Sequence, residues 1–288
     1  MTTMNRIKSE LVQDRVVCGC MVTEVRTPAI GMILESAGLD FFILDMEHGS
    51  FSYETANDII LSCHGLKIVP FVRVPALERE AFQKPLDSGA RGILVPRVET
   101  REQVEAALDL MRYAPAGSRG LSIRRAHSGF TRQEPFQFTS DANRNVMLMV
   151  QIETRQGVEN IEAVSDTPGV DVLFVGPSDL AHSYGEVESE TLDQAIARVI
   201  EVGKRKGIPT GIQHTSLPVI TRLIEDGMRF ISVNTEVGAI ISVFSDAESR
   251  IRAAAKNNDS REDPRQDSRQ ENSTQAADKN GAGAGMSK

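Results

Sequence analysis

The chain has 288 residues, of which 40% are hydrophobic and 25% are charged, so it can bury a sizeable core as one large α/β domain or two ordinary domains. Its formal net charge of -8 argues against a nucleic-acid partner, because binding to phosphates needs a basic surface. No apolar run approaches the ~20 residues that span a bilayer, and the N-terminus has no apolar stretch of the signal-peptide type. Three cysteines are too few for a disulfide framework. These features predict a cytoplasmic protein that does not enter a membrane.

Short apolar runs alternate with amphipathic stretches along most of the chain. The runs predict eight strands, at residues 16–22, 41–46, 68–74, 92–98, 146–153, 170–176, 208–213 and 228–234. The segments between them predict helices, for example at 100–112 and 191–207, and several end in glycine, as in LDSGARG (86–92) and IEDGMRF (224–230). Strands separated by helices form parallel sheets, and eight of them can close. The sequence therefore predicts a TIM (β/α)8 barrel over residues 1–256. A doubly wound open sheet is the alternative, although no G-x-G-x-x-G follows the first strand.

The composition changes after Ile251, beyond which the chain has no Leu, Ile, Val or Phe. The last stretch is polar and rich in Gly and Ala, so it cannot bury enough apolar area to offset its conformational entropy. We expect a disordered polar tail over residues 257–288.

Polar side chains follow most of the predicted strands at their C-terminal ends, where the sites of such barrels lie. In FFILDMEHGS (41–50) a run typical of a buried strand ends in Asp45, Glu47 and His48. Other strands end at Arg73, residues 151–153, 176–179, 213–214 and 234–236. Any one of these ends can be a solvated loop start, but their coincidence on one face predicts a site.

Glu153 and Asp179 close neighbouring strands, which lie ~4.8 Å apart in a sheet. Their carboxylates can therefore hold one small cation, and hard oxygens with room for water suit Mg²⁺ or Mn²⁺ better than zinc. The alternatives are an acid/base pair of the glycosidase type or simple loop carboxylates.

Arg73 and His48 are the other ionisable candidates. Arg73 ends an otherwise apolar strand, either as half of a buried salt bridge to Asp45 or Glu47, or as a fixed cation beside an oxygen that gains negative charge. His48 either caps a loop or serves as general base. The Arg-rich loop at residues 119–130 either contacts an acidic substrate or is simply solvated.

Six stretches together resemble the HpcH/HpaI aldolase family, which includes 4-hydroxy-2-oxoheptanedioate and 2-dehydro-3-deoxyglucarate aldolases. They are LDMEHGSF (44–51), VPFVRVP (69–75), LDSGARGILVPRV (86–98), YAPAGSRG (113–120), LMVQIETRQGVENIEAV (148–164) and VDVLFVGPSDL (170–180). The resemblance covers roughly residues 5–250, and it implies a TIM barrel, usually a hexamer, that performs divalent-metal-dependent (class II) pyruvate aldol chemistry on a small oxo acid. A dimer is the other oligomer we consider.

The resemblance also implies roles for individual residues. Glu153 and Asp179 match the ligands of a divalent metal (Mg²⁺, Mn²⁺ or Co²⁺). Arg73 matches the arginine at the keto or enolate oxygen, and His48 matches the acid/base histidine. No lysine stands at a strand end where a class I enzyme would form its Schiff base.

For substrate binding, Gln151 matches a pocket residue, and the amides of Ser178 and Asp179 match those that hold the pyruvate carboxylate. Asp45 and Gln213 complete the expected contacts. Gln213 belongs to an end of the pocket where the sequence departs from the family pattern, because larger polar groups replace small or apolar ones at 213–214 and 234–236.

Asp87 matches an aspartate that the family pairs with its acid/base histidine. It closes a helix that returns to the N-terminal face, a strand length or ~17–20 Å from His48 of the same chain. Asp87 therefore either caps the helix-to-strand turn or enters the site of a neighbouring subunit.

Three functions remain open at this point. The first is an aldolase that releases pyruvate and an aldehyde. The second is a related enzyme that condenses an enolate with a keto acid such as oxaloacetate, as macrophomate synthase and the citrate-forming siderophore enzymes form carbon–carbon bonds. The third is a catalytically silent barrel that serves as a binding module.

Overall fold

A computed structural model of the chain describes residues 5–185 and 189–259. The strands are β1 (Val17–Val22), β2 (Phe41–Asp45), β3 (Val69–Arg73), β4 (Gly92–Val95), β5 (Met147–Ile152), β6 (Val172–Val175), β7 (Thr210–His214) and β8 (Phe230–Thr235). The helices are α1 (Arg6–Val12), α2 (Ile30–Ser36), α3 (Tyr53–Ser62), α4 (Arg79–Ser88), α5 (Arg101–Met111), α6 (Pro135–Asn145), α7 (Arg155–Glu159), α8 (Ile161–Ser165), α9 (Pro177–Tyr184), α10 (Ser189–Lys206), α11 (Leu217–Glu225) and α12 (Glu236–Asp259). A short 3-10 helix spans Ala126–Ser128.

The eight strands form one closed barrel in which the strand order follows the chain and every neighbouring pair is parallel. This confirms the predicted TIM barrel, and the open doubly wound sheet is wrong because β1 pairs with β8 and no edge is left. Each predicted strand is present. The largest difference is at β4, which ends at Val95 rather than at residue 98.

The barrel interior is filled by apolar side chains from alternate positions of the strands. The cluster comprises Ile7, Leu11, Val17, Met21, Phe41, Ile43, Val69, Phe71, Leu94, Met147, Met149, Val172, Phe174 and Phe230. At its centre the rings of Phe41 and Phe230 stack with centroids 4.1 Å apart. Because Ile7 and Leu11 of α1 belong to this cluster, α1 packs across the N-terminal end of the barrel. The intervening strand residues face outward and pack against the helices in a second, larger core.

The predicted helix endings are confirmed where a glycine was expected to stop a helix. Gly89 follows α4 with a φ of 112°, and Gly227 follows α11 with a φ of 108°. Both values lie in the left-handed region that side chains disfavour.

The chain divides into two units, residues 1–238 and 239–288. Of the second unit the structure describes residues 239–259, which continue α12, and along this helix Ile240, Ile241, Val243 and Phe244 are exposed. Residues 257–259, which the sequence assigns to the polar tail, are helical, and residues 260–288 lie outside the described residues. Among the helices described, none has the length and apolar character needed to cross a membrane.

Candidate active site

Four polar side chains continue the inward-facing alternation beyond the hydrophobic layers. On β2, β3 and β5 the interior apolar residues are followed, at the same parity, by Asp45, Arg73, Gln151 and Glu153. Their exposed fractions are 1%, 7%, 3% and 2%. Because polar groups withdrawn from water need partners, the partners of these four side chains define the candidate site.

The guanidinium of Arg73 is paired with two carboxylates. Its Nε and Nη2 donate to Oδ1 and Oδ2 of Asp45 at 2.8 and 2.6 Å, and Nε lies 3.3 Å from Oε2 of Glu47. The bidentate pair follows from the register, which places Arg73 directly opposite Asp45 on neighbouring strands. Burial favours the neutral form, but the hydrogen bonds and charges of the carboxylates outweigh it and raise the pKa of Arg73. The site therefore contains a permanent cation in a fixed orientation.

The turn after β2 is held by the same aspartate. Oδ1 of Asp45 accepts hydrogen bonds from the backbone N–H groups of Glu47 and His48, at 3.1 and 3.3 Å. The imidazole of His48 is 68% exposed, and its Nε2 lies 3.8 Å from Oε2 of Glu47. Burial raises the pKa of Glu47, although Arg73 and His48 oppose that effect. Glu47 thus lies between the cation and the imidazole, whereas the sequence suggested it only as a possible partner of Arg73.

The carboxyl group of Glu153 is held on both sides. Oε1 accepts the backbone N–H of Arg97 at 2.8 Å, and Oε2 accepts from Nε2 of Gln151. Burial raises the pKa of Glu153 to about 7; the N–H of Arg97 opposes the rise, and the charges of Asp179 and Glu47 add to it. Oε1 of Gln151 is buried and has no hydrogen-bond partner among the described residues. It is therefore an acceptor available to a bound molecule.

Two backbone features that the sequence did not reveal shape this part of the site. Arg97 has a φ of 51°, a left-handed conformation that costs free energy in a residue other than glycine, and in this conformation its N–H reaches Glu153. At Gly176 a Cβ would lie 2.5 Å from Oε2 of Glu153 and 2.7 Å from Nε2 of Gln151. A glycine therefore fits directly after β6, where the backbone approaches the two side chains closely, and the only sequence signal is that Gly176 opens GPSD.

Ser178 and Asp179 lie in the first turn of α9, and both are exposed. The N–H groups of a first helical turn have no partner within the helix, and the helix dipole favours an anion there. The charge of Asp179 raises the pKa of both Glu153 and Glu47, so its carboxylate lies within electrostatic reach of both groups. The structure therefore brings the two predicted metal ligands to one region.

The end of β7 contributes one inward-facing and one loop-directed side chain. Gln213 is half-buried and opposite Ser232 in the register, and the hydroxyl of Ser232 is buried without a partner among the described residues. Nδ1 of His214 accepts the N–H of Ser216 at 3.0 Å, so this imidazole organises the following loop.

The end of β8 is structural. Oε1 of Glu236 accepts backbone N–H groups of Thr23, Glu24 and Val25 at 2.8, 2.6 and 3.0 Å. Burial alone would raise the pKa of Glu236, but these N–H groups outweigh burial and lower it. Glu236 therefore ties the loop after β1 to β8, and the simple loop interpretation holds at this strand end.

Asp87 closes α4 and is paired within its own chain. Its Oδ1 accepts from Nη2 of Arg119 at 2.7 Å, and its backbone oxygen accepts from Nδ1 of His127 at 3.0 Å. The guanidinium of Arg119 in turn lies 4.5 Å from the ring centre of Tyr113. Asp87 also lines a groove on the outside of the barrel between α3, α4 and the loop that contains Phe130.

Glu153 and Asp179 offer carboxylate oxygens to a divalent cation. No group of three or more His, Cys, Asp or Glu side chains in the described residues is arranged to hold a metal ion. The carboxyl group of Glu153, whose pKa is raised by burial and by the charge of Asp179, lies beside the unpartnered oxygen of Gln151, and this set of oxygens fits a hard cation that keeps several waters. Glu153 and Asp179 are therefore compatible with Mg²⁺ or Mn²⁺, and the site would need a substrate or water to complete the coordination.

A closed parallel barrel with a buried cation and clustered carboxyl groups at its C-terminal strand ends defines an enzyme of the TIM-barrel class. The chain belongs to the HpcH/HpaI aldolase/citrate lyase family, whose model matches residues 21–243. It is accordingly a lyase of the aldolase type.

Similar proteins agree with this assignment. The chain is 34% identical over 242 residues to a 5-keto-4-deoxy-D-glucarate aldolase of Shigella boydii, covering 83% of this chain and 93% of the relative. An HpcH/HpaI aldolase of Desulfitobacterium hafniense superposes with a TM-score of 0.82 at 26% identity, covering 87% of this chain and 97% of the other. The citrate synthase SbnG superposes with a TM-score of 0.77, also at 26% identity, covering 86% and 98%.

Proposed function

We propose that the chain is a divalent-metal-dependent (class II) aldolase that cleaves a 4-hydroxy-2-oxo acid into pyruvate and an aldehyde through an enolate. The observation that carries this proposal is the buried guanidinium of Arg73. It is paired with Asp45, and the charge of Glu153 contributes to its raised pKa. Cleavage of the C3–C4 bond puts negative charge on the 2-keto oxygen, and a preorganised cation at that oxygen lowers the barrier. A relative named as a 5-keto-4-deoxy-D-glucarate aldolase supports a sugar-acid-like substrate.

Glu153 and Asp179 are the residues that would hold the divalent cation (Mg²⁺, Mn²⁺ or Co²⁺), which when bound supplies Lewis-acid polarisation of the keto oxygen. The chain prepares Glu153 for this role by fixing Oε1 with the N–H of Arg97 and Oε2 with Gln151. The pKa of about 7 supports the same role, because a carboxylate that is buried and lies near the charges of Asp179 and Glu47 is stabilised when a cation offsets its charge.

His48 is the proposed acid/base. In the cleavage direction its imidazole takes the proton of the 4-hydroxyl group as the C3–C4 bond breaks, and the electron pair of that bond passes to C3 and the keto oxygen. The aldehyde leaves, and a proton delivered to C3 of the enolate gives pyruvate. The high exposure of the His48 imidazole and its position beside Glu47 suit a group that exchanges protons with substrate and solvent.

The remaining polar groups would hold the oxo acid. Nη1 of Arg73 takes no part in the two bonds to Asp45 and can donate to the enolate oxygen. The amides of Ser178 and Asp179, at the start of α9, would bind the carboxylate of the substrate. The buried Oε1 of Gln151 can accept from a substrate hydroxyl, and Gln213 faces the acceptor end.

We assign Asp45 a different role from the direct substrate contact that the sequence suggested. Both of its oxygens are already engaged by Arg73, and Oδ1 also accepts two backbone N–H groups of the turn. Asp45 would therefore position Arg73 and His48, and act on the substrate through them.

The proposal is tested by exchange of the methyl protons of pyruvate in D₂O, followed by proton NMR. We expect exchange with Mg²⁺, Mn²⁺ or Co²⁺, none after chelation, and none with Glu153→Gln. Glu159→Gln, an exposed carboxylate paired with Arg155, is the matched control and should exchange like the parent chain. Absence of exchange with all three metals would leave the silent binding module as the better interpretation.

Condensation is the second candidate because the citrate synthase SbnG superposes over most of the chain. The same enolate would then attack the keto group of an acid such as oxaloacetate. Incubation with a 4-hydroxy-2-oxo acid, and separately with pyruvate and oxaloacetate together, with product analysis by mass spectrometry, separates the two directions. Pyruvate released from 4-hydroxy-2-oxo acids favours the aldolase, and a new tricarboxylate favours the synthase.

We also propose that Asp87 completes the site of a neighbouring subunit in a homo-oligomer, a hexamer or a dimer, where it would orient His48. Its Oδ1 is occupied by Arg119 within the chain, so Oδ2 would face the partner's imidazole. Co-assembly of inactive His48→Ala and Asp87→Ala chains should restore part of the activity, because some mixed interfaces contain both groups. A mixture that stays inactive despite confirmed mixed assembly would show that Asp87 only stabilises Arg119 and the turn.

A further inference from the structure

A second cavity lies at the opposite end of the barrel from the candidate active site. It encloses about 590 Å³ and is bounded by α1, the turn after α3, the first residues of β3 and the loop that follows the 3-10 helix. Val69 and Pro70 line it at the start of β3, whereas Arg73 ends the same strand, roughly 13 Å away at about 3.3 Å per residue. A ligand in this cavity would therefore not touch the groups of the candidate active site.

The charge of the cavity is opposite to that of the protein as a whole. Arg6, Lys67 and Arg91 line it together with His64 and His127, and none of its lining residues is Asp or Glu. The full chain carries a formal net charge of -8, so a wall of this composition is a local reversal. Such a concave surface of one sign concentrates counter-ions.

The three cations differ in their exposure to solvent. Arg6 donates to Asp40, from Nη1 to Oδ1 at 2.9 Å and from Nη2 to the backbone oxygen at 3.0 Å, and its Nε is buried without a hydrogen-bond partner in the described residues. Lys67 is exposed, and it forms no salt bridge with any of the described residues. Arg91 is half-buried, and burial lowers its pKa. The attraction between opposite charges is stronger at a half-buried cation than at one fully surrounded by water.

The imidazole of His127 lines the cavity but adds no positive charge to it. Its Nδ1 donates to the backbone oxygen of Asp87, and burial together with Arg119 lowers its pKa, so the ring is neutral near pH 7. The apolar side chains of Ile60, Leu66 and Phe138 form the rest of the lining. A cavity with a cationic side and an apolar side, of a volume typical of small-molecule sites, suits an anion with an organic body.

We propose that this cavity is a binding site for a small phosphate monoester, with Lys67 and Arg91 as its phosphate contacts. A planar guanidinium and a mobile ammonium together match the several oxygens and the double charge of a phosphate group better than a single carboxylate. The proposal is independent of the reaction at the other end of the barrel.

The test is calorimetric titration of the full chain in phosphate-free buffer with ribose 5-phosphate, with succinate as a dianion that lacks phosphorus and ribose as the uncharged sugar. We expect ribose 5-phosphate to bind more tightly than succinate, and ribose not to bind. Lys67→Glu should weaken binding at least tenfold, Lys67→Gln less, and Lys67→Arg little. Lys256→Glu, an exposed lysine on α12, is the matched control and should leave binding unchanged.

Each remaining outcome would overturn the proposal. If succinate binds as tightly and also depends on Lys67, the site selects dicarboxylates and not phosphate. If Lys67→Glu leaves the affinity unchanged while Arg73→Lys lowers it, the anion lies in the candidate active site. If no heat is detected up to millimolar ribose 5-phosphate, while thermal melting shows the chain to be folded, the cavity does not bind this class of ligand.

Discussion

The two ends of the barrel differ in the charge of the side chains that gather there. At the C-terminal end, Asp45, Glu47 and Glu153 surround one buried cation, Arg73. At the N-terminal end, arginine and lysine side chains line a cavity without a single lining carboxylate. The difference indicates that the polar side chains at each end suit the binding of a ligand and do not serve only to stabilise the fold. Burial, with a smaller contribution from the charges of Asp179 and Glu47, raises the pKa of Glu153 to about 7, so the acidic end favours a cation, whereas the basic wall favours an anion.

The largest effect should come from removing the acidic character of the C-terminal end. Glu153→Gln and Asp179→Asn keep the size of each side chain but remove a charged oxygen. We expect turnover to fall by about 1,000-fold or more, because metal polarisation is worth several kcal/mol of transition-state stabilisation. Metal affinity by calorimetry and thermal melting are the measurements. Folded variants that both bind metal like the parent chain would exclude these residues as ligands.

The next largest effect should come from Arg73→Lys, which keeps the charge but loses the bidentate geometry with Asp45. We expect kcat/KM to fall about 100- to 1,000-fold, as for loss of one oxyanion-stabilising donor. The free energy of unfolding should also fall, since Asp45 is left with unmet hydrogen-bonding capacity. Arg101→Lys, an exposed arginine paired with Glu105, is the control, and an equal effect there would show that the buried pair has no special role.

A smaller effect should appear in the pH dependence of the metal-free protein. The pKa of Glu153 is about 7 in the fold, against an ordinary value of 4.5, so the folded chain binds more protons between these pH values. The free energy of unfolding should therefore fall as pH rises from about 4.5 to 7, by at most about 1.4 kcal/mol per pH unit for one proton. Denaturant melts at several pH values measure this slope.

Glu153→Gln should make that slope shallower without abolishing it, because burial also raises the pKa of Glu47. An unchanged slope in the variant would mean that Glu153 titrates normally in the folded protein. The C-terminal end would then not differ from the N-terminal end in the way proposed.

The smallest effect should come from deleting residues 260–288, which are not among the described residues. Their composition offers little apolar area to bury, so the melting temperature and the activity should stay close to those of the full chain. A large loss of either property would show that this segment docks on the barrel or at a subunit interface.

Much of the architecture could be read from the sequence because its signals are local. An apolar run such as Phe41–Leu44 predicts a buried strand, and the glycine at position 89 predicts a helix end, whatever else the chain does. Once eight such strands are placed, parity alone sends Asp45 and Glu153 to the interior. The family's motifs then matched the same strand ends.

What only the tertiary structure decided depends on distances between residues remote in sequence. The left-handed backbone of Arg97 reaches Glu153 on the next strand, and no property of an arginine announces it. Glu236, at a strand end like the others, instead binds the loop at residues 23–25, because buried carboxylates are satisfied by whichever donors lie nearest. The basic cavity joins α1, the start of β3 and the turn before β4, which are far apart along the chain. Charge along a sequence averages out, but the charge at a surface is set by which side chains the fold places side by side.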